Sequence, residues 1–317
     1  MKKQLAVVIL VFLSACTVHQ KEDVVSNTVD ASKREGTLGT RSVVQPQNVA
    51  DGPAVAQALT NRYNDTTKYC AGQNPAYYCN GVMLRITTYS PNYRSWEPSP
   101  QSQALRSVSY SFLRRDGKFK SLAFEGSNGL ILFSLETTPS HKFKVKPMCI
   151  YPNDGWTNNS TGTRCGVGQT QVPTERRCPW VGVAWAAEWV AKYVGVGYEG
   201  PTICAYNVDT SMEGSAMAAI WLGESQKVKE MASSDSDKRF TQQNELIIAA
   251  VSGAQPPARE WPIQAFFYTN NTGLVAAKLD RADYENHGGE RLPLIKVTLP
   301  LTRAQDAKFE YIEDDNT

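Results

Sequence analysis

The chain has 317 residues, with 33 basic side chains against 31 acidic ones and a formal net charge of +2. A balance this close to neutral excludes the strong positive field of a nucleic-acid binder. The composition is that of a folded globular protein, and the length allows one large domain or two small ones around a sizeable core.

Lys2 and Lys3 precede an uninterrupted apolar run from Leu5 to Leu13, then the small residues Ser14 and Ala15. This is the layout of a signal peptide. The run is too short for a permanent span, which takes about 20 residues, and no second apolar segment reaches that length. Leu13-Ser14-Ala15-Cys16 resembles the lipobox of bacterial lipoproteins. That resemblance implies cleavage before Cys16, lipid on its thiol and membrane attachment through that lipid. Thr17, where an Asp would retain the protein at the inner membrane, implies the outer membrane, with the protein facing outward or released. An ordinary signal peptide with a chance cysteine is the alternative.

Residues 16–52 carry few apolar side chains and many Ser, Thr, Lys, Glu and Gln, a tether that buries no core. A single domain is expected over residues 53–317. Asp51 and Pro53 open a helix in which Val55, Ala58, Leu59, Arg62 and Tyr63 recur at helical spacing. Gly81 to Thr88 alternates as a strand, with Val82, Leu84 and Ile86 on one face and Met83, Arg85 and Thr87 on the other. Ser90 to Gln103, rich in Pro and Ser, reads as a loop. Ser107 to Leu113 alternates again, and Gly129 to Leu135 is an apolar run of buried-strand type. Helices are expected at Val183–Val194, Ser211–Met231 and Gly273–Asn286. Strands are expected at Asn244–Ala250, Ile263–Tyr268 and Leu292–Leu299. The mixture has no regular βαβ rhythm, which favours α+β.

Six cysteines follow Cys16: Cys70, Cys79, Cys149, Cys165, Cys178 and Cys204. An even number in an exported chain reads as disulfides. The expected pairs are Cys70–Cys79, Cys165–Cys178 and Cys149–Cys204, with residues from about 149 to 205 forming a disulfide-stapled insertion. A zinc site is the alternative, but no Cys-x-x-Cys occurs.

Several common chemistries lack their residues. With three histidines, His19, His141 and His287, a histidine-rich metal site has little to draw on. There is no Gly-x-Ser-x-Gly elbow and no phosphate-loop motif. Gly195-Val196-Gly197-Tyr198-Glu199-Gly200 matches a dinucleotide fingerprint in letters only. It follows a helix and is cut short by Pro201, so it reads as a helix stop and loop.

Three pieces remain: Leu84-Arg85, Ser109-Tyr110-Ser111 and Gln243-Asn244-Glu245. Their order resembles the Arg / Ser-x-Ser / Gln-or-Glu-x-Glu pattern of ADP-ribosyltransferases. There an arginine lies on an early strand, serines on the next followed by a helix with a phenylalanine, and a glutamate at the start of a late strand. Asp116, Lys118 and Phe119 fall where that helix is expected. More broadly, Gly81–Arg85, Trp96–Pro100, Ser109–Phe119, Gln243–Leu246, Gln264–Thr269 and Leu292–Pro300 resemble the halovibrin-like family of Gram-negative bacteria, over about Leu59 to Pro300. That resemblance implies an α+β, ADP-ribosyltransferase-like split mixed sheet with flanking helices. It also implies cleavage of NAD as substrate, without a metal, by transfer to a protein acceptor or by hydrolysis.

The residue chemistry agrees. Breaking the nicotinamide–ribose bond passes through an oxocarbenium-like state, which favours a nearby carboxylate, here Glu245. A diphosphate suits a permanently charged planar fork on a rigid strand, here Arg85. By resemblance Ser109 orients the glutamate, Ser111 lies beside NAD, and Gln243 contacts the acceptor. Each has a plainer reading. Arg85 fits a solvated edge strand, Ser109 and Ser111 the wet face of a strand, and Glu245 an exposed charge at a strand start. Tyr93 and Trp96 either line the nicotinamide pocket or pin their loop, and Trp185 with Trp189 reads as core. The alternative function is a surface lipoprotein that binds a protein or wall component without catalysis. The enzyme reading requires Arg85, Ser109 and Glu245 to line one cleft.

Overall fold

Asp51 starts the first helix, α1 (Gly52–Asn64), with its carboxylate accepting from the Ala54 amide at 3.3 Å. Pro53 sits in the first turn, where its missing N–H costs nothing. Gly52, Ala56, Leu59 and Tyr63 form the buried stripe. Full burial of Leu59 alone contributes about 1.5–3 kcal/mol. Arg62 ties the helix to the sheet through Gly81 O (2.9 Å) and Gln264 Oε1 (2.8 Å), and desolvation lowers its pKa to about 10.

The computed structural model describes residues 51–67, 70–71, 74, 76–151, 165–166, 168, 174–178, 180–182, 204–208, 243–249, 256–302 and 304–312. All of them belong to one compact unit. Cys16, the expected leader, almost all of the expected tether and the expected helices over 183–194 and 211–231 lie outside the described residues, as does the Gly195–Gly200 run. None of the described helices is long and apolar enough to cross a membrane.

Among the described residues, nine strands form one mixed sheet: β1 (Val82–Ile86), β2 (Ser107–Leu113), β3 (Asn128–Leu132), β4 (Lys146–Tyr151), β5 (Tyr206–Asn207), β6 (Glu245–Ala249), β7 (Ile263–Tyr268), β8 (Leu294–Thr298) and β9 (Lys308–Tyr311). Their order is β5-β4-β6-β2-β1-β3-β7-β8-β9. Every pairing is antiparallel except β7 with β8. That parallel pair needs a crossover, and helix α3 (Asn271–Asn286) supplies it, capped by Asn270 onto the Gly273 amide at 2.8 Å. The α+β class is therefore seen directly.

Strand β2 is the seam of the sheet. Its C-terminal half pairs with β1, from Val82↔Leu113 to Leu84↔Ser111, and its N-terminal half pairs with β6, from Ser107↔Ala249 to Tyr110↔Leu246. Where the β6 ladder runs out, the Asn244 side chain takes over. Its Oδ1 accepts from Phe112 N and its Nδ2 donates to Phe112 O, both at 2.8 Å.

The two faces differ. On the α3 face, Met83, Val108, Tyr110, Phe112, Leu130, Leu246 and Phe266 belong to one continuous apolar cluster. On the α1 face the core breaks in two. Leu84, Leu113, Ile131 and Phe267 lie in one cluster, and Cys149, Tyr151, Cys165 and Ile247 in the other. By register the row Ser107, Ser109, Ser111 falls between them.

Three local expectations are corrected. Within the expected loop of 90–103, a short helix α2 (Pro100–Leu105) forms, because Ser99 caps it through Ser102 N (3.2 Å) and Pro100 suits the first position. Asp116 to Phe119 is a turn rather than a helix, held by the Arg114–Asp116 ion pair at 2.6 Å and the Gly117 amide on Arg114 O. The disulfide pairing also differs. Cys70–Cys79 forms as expected, but the others are Cys149–Cys165 and Cys178–Cys204. Cys149 lies opposite Ile247 on the α1 face, where residues 165–166 also pack. The Cys178 amide bonds to Ala205 O, which brings it beside Cys204 with Cα atoms 4.9 Å apart. Most of the expected insertion lies outside the described residues, but its first residue, Cys149, belongs to β4 of the main sheet.

Candidate active site

In a strand, alternate residues share a face, and antiparallel partners share it too. Ser109 pairs with Ile247, so Ser107, Ser109, Ser111, Glu245 and Ile247 all share the α1 face, with Ile247 inside the second apolar cluster and the serine row beside it. Ser109 is the one exposed residue of β2. Glu245, the first residue of β6, is buried and sits opposite Tyr151 of β4. It is the diagonal neighbour of Ser109, a separation of about 7–8 Å between Cα atoms.

Ser111 and Gln243 are spent on each other. The Ser111 hydroxyl donates to Gln243 Oε1 at 2.6 Å, and the same oxygen accepts the Ala123 amide at 2.7 Å. Both side chains are buried. Gln243 thus fastens β2 and the turn at Ala123–Glu125 onto the start of β6.

That turn carries two non-glycine residues in the left-handed region, Phe124 (φ 51°) and Glu125 (φ 53°), and the Phe124 ring is exposed. Adjacent left-handed residues of this bulk store backbone strain, a feature concentrated at functional sites. Sequence reading missed this turn, since Ala-Phe-Glu carries none of the usual turn residues.

Arg85 does not join the group. Its strand neighbour Met83 pairs with Phe112, and Arg85 itself pairs with Leu130, which places its side chain on the α3 face. Its Nη2 donates to the main-chain oxygens of Ser95 and Glu97, each at 3.1 Å, and its guanidinium lies 6.0 Å from the Tyr110 ring centroid. Burial raises the Tyr110 pKa, and Arg85 opposes that in part. The requirement that Arg85, Ser109 and Glu245 line one cleft is therefore unmet. β1 is covered on both sides, so the face turned away from Val82 and Leu84 is a second core rather than an open surface.

The aromatic loop is pinned. Trp96 is buried, donates from Nε1 to Asp283 at 2.9 Å, and meets Tyr284 edge-on at 5.3 Å. Asp280 accepts from Ser95 and Thr87 on the same helix face.

Among the described residues, Cys70, Cys79 and Glu136 come together in the manner of a metal site, but the two thiols are bonded to each other. His141 and His287 make surface contacts with Glu290 and Asp283, each at 3.5 Å. The chain matches no protein-family model and no curated protein sequence.

Proposed function

We propose that the chain is an exported lipoprotein that cleaves the nicotinamide–ribose bond of NAD, by hydrolysis or by ADP-ribosyl transfer to a protein. The observation that carries this reading is the placement of Ser109 and Glu245 as diagonal neighbours on adjacent strands β2 and β6, on the face where the core of the described residues divides into two clusters. A buried carboxylate beside an exposed hydroxyl suits the stabilisation of a ribosyl cation. Glu245 stabilises positive charge developing at the ribose, and Ser109 orients the ribose or the carboxylate. Gln243 and Ser111 hold the strands that present them. Arg85 supports its loop, which leaves the diphosphate to another donor.

The test is release of free nicotinamide from NAD by the purified, disulfide-bonded protein, beside Glu245→Gln. Release by the wild type and not by the variant supports the reading. No release at any NAD concentration, with or without added acceptor protein, defeats it.

A second reading is a surface lipoprotein that binds a partner without catalysis. It is favoured by one observation: the only cation of the sequence motif faces away from Ser109 and Glu245.

A further inference from the structure

The Cys149–Cys165 disulfide lies next to the neighbours of the candidate site on both of its strands. Cys149 lies on β4 opposite Ile247, and two residues further on Tyr151 lies opposite Glu245. Cys165 delivers Gly166 to the same face. A Cβ on Gly166 would lie 2.7 Å from Ile247 Cγ2 and 2.7 Å from Ser107 Cβ, so the backbone rests directly on both side chains. Ser107 is the next residue on the Ser109 face, and Ile247 is the partner of Ser109. The turn at 165–166 is therefore a wall beside the exposed Ser109. Gly166 has φ +77°, a conformation that favours glycine. Both cysteines are fully buried.

We propose that forming the Cys149–Cys165 bond assembles this wall, so that the chain gains its activity only on oxidation. The inference rests on the NAD-cleaving reading. The two thiols lose two protons and two electrons to an incoming disulfide, which leaves as the reduced dithiol of an oxidoreductase or as two molecules of reduced glutathione. Burial of both sulfurs makes the step a single event of folding rather than a reversible sensor. Thiols stay reduced in the cytosol, and disulfides form after export. A chain that cleaves NAD is then inactive in the compartment where it is made and active where it is delivered. Cys149, Cys165 and Gly166 act as positioning residues, through Ser107, Ile247 and the serine–glutamate pair they border.

The experiment measures nicotinamide release from NAD by the oxidised wild type, C149A/C165A, C70A/C79A and Gly166→Ala. Folding is followed by near-ultraviolet circular dichroism. C149A/C165A is expected to lose on the order of tenfold or more in kcat while KM changes little, as a displaced site wall would produce. C70A/C79A is expected to keep the wild-type kcat and to lower only the melting temperature. A folded C149A/C165A protein with wild-type kcat overturns the proposal, as does an equal loss in C70A/C79A. Should C149A/C165A fail to fold, Gly166→Ala decides. In the disulfide-bonded protein it must lower kcat and be partly rescued by Ser107→Gly, and a wild-type kcat overturns the proposal. A wild type that releases no nicotinamide defeats the NAD reading itself, and the proposal with it.

Discussion

Ser111 donates its hydroxyl proton to Gln243 across 132 residues of sequence, at 2.6 Å and in a buried setting. The same Gln243 oxygen accepts the Ala123 amide. One side-chain oxygen therefore fixes the end of β2, the start of β6 and the strained turn at Phe124 and Glu125. Gln243→Leu leaves a buried hydroxyl and an amide without that acceptor, at a cost of about 1–3 kcal/mol. Ser111→Ala is expected to cost less, and the double variant less than the sum. A coupling of about 1 kcal/mol, read from a double-mutant cycle in urea, is the expected result. Strict additivity would show that the contact contributes nothing.

Ser109 and Glu245 respond differently from that latch. Glu245→Gln keeps the shape of the buried side chain and removes its charge, so nicotinamide release is expected to fall by about 100-fold or more while the urea midpoint moves little. Ser109→Ala removes an exposed hydroxyl that fills no core, and a loss of about tenfold in kcat is expected with stability unchanged within about 0.5 kcal/mol. Initial-rate kinetics beside denaturation curves check both. Loss of activity that merely tracks loss of stability would assign these residues to the fold.

The fold was legible where a local signal and the tertiary environment agree. Ser107–Leu113 and Ile263–Tyr268 are strands over the residues expected, and Asp51 caps α1 as read. Arg85 shows where such reading stops. Alternation along β1 assigns it correctly to the face opposite Val82 and Leu84. It does not reveal that Met83, on the Arg85 side, is as buried as they are, so that both faces are core. The disulfides fail for a similar reason. Cys165 and Cys178 are close in sequence, but the sheet carries one onto Ile247 and the other beside Ala205. The left-handed Phe124 and Glu125 follow Ala123, whose amide is held by Gln243 from far along the chain, and no local pattern announces that turn.

Arg85→Met separates two roles. If the guanidinium serves mainly its loop, the variant loses two hydrogen bonds to the Ser95 and Glu97 carbonyls and destabilises the protein by about 1–2 kcal/mol. KM for NAD is then expected to stay within about twofold of the wild type, since the side chain lies on the face away from Ser109. A large rise in KM with an unchanged melting temperature would return Arg85 to the diphosphate and require the loop to move aside.

Alkaline pH acts on the buried phenols. Burial raises the pKa of Tyr63, Tyr78, Tyr110 and Tyr284 above the ordinary tyrosine value of 10.0. Above that value the unfolded chain releases these protons while the folded chain keeps them, so the folded state binds more protons and stability falls as pH rises. The slope is about 1.4 kcal/mol per pH unit for each of Tyr63, Tyr110 and Tyr284, between its unfolded and folded values, and less for the half-buried Tyr78. Arg62 works in the opposite sense. Its folded value of about 10, against 12.5 ordinarily, lets the folded state shed a proton first and so adds stability over that interval. One arginine opposes four tyrosines, and the expected outcome is a urea midpoint that is flat near neutrality and drops beyond pH about 10. Tyr284 offers the cleanest check, because its hydroxyl is buried and makes no hydrogen bond among the described residues. Tyr284→Phe therefore removes a titrating group without removing a hydrogen bond. Stability at neutral pH is expected to hold or rise slightly, and the alkaline drop to become shallower by one group. A drop as steep as in the wild type would mean that Tyr284 ionises alike in the folded and unfolded chain.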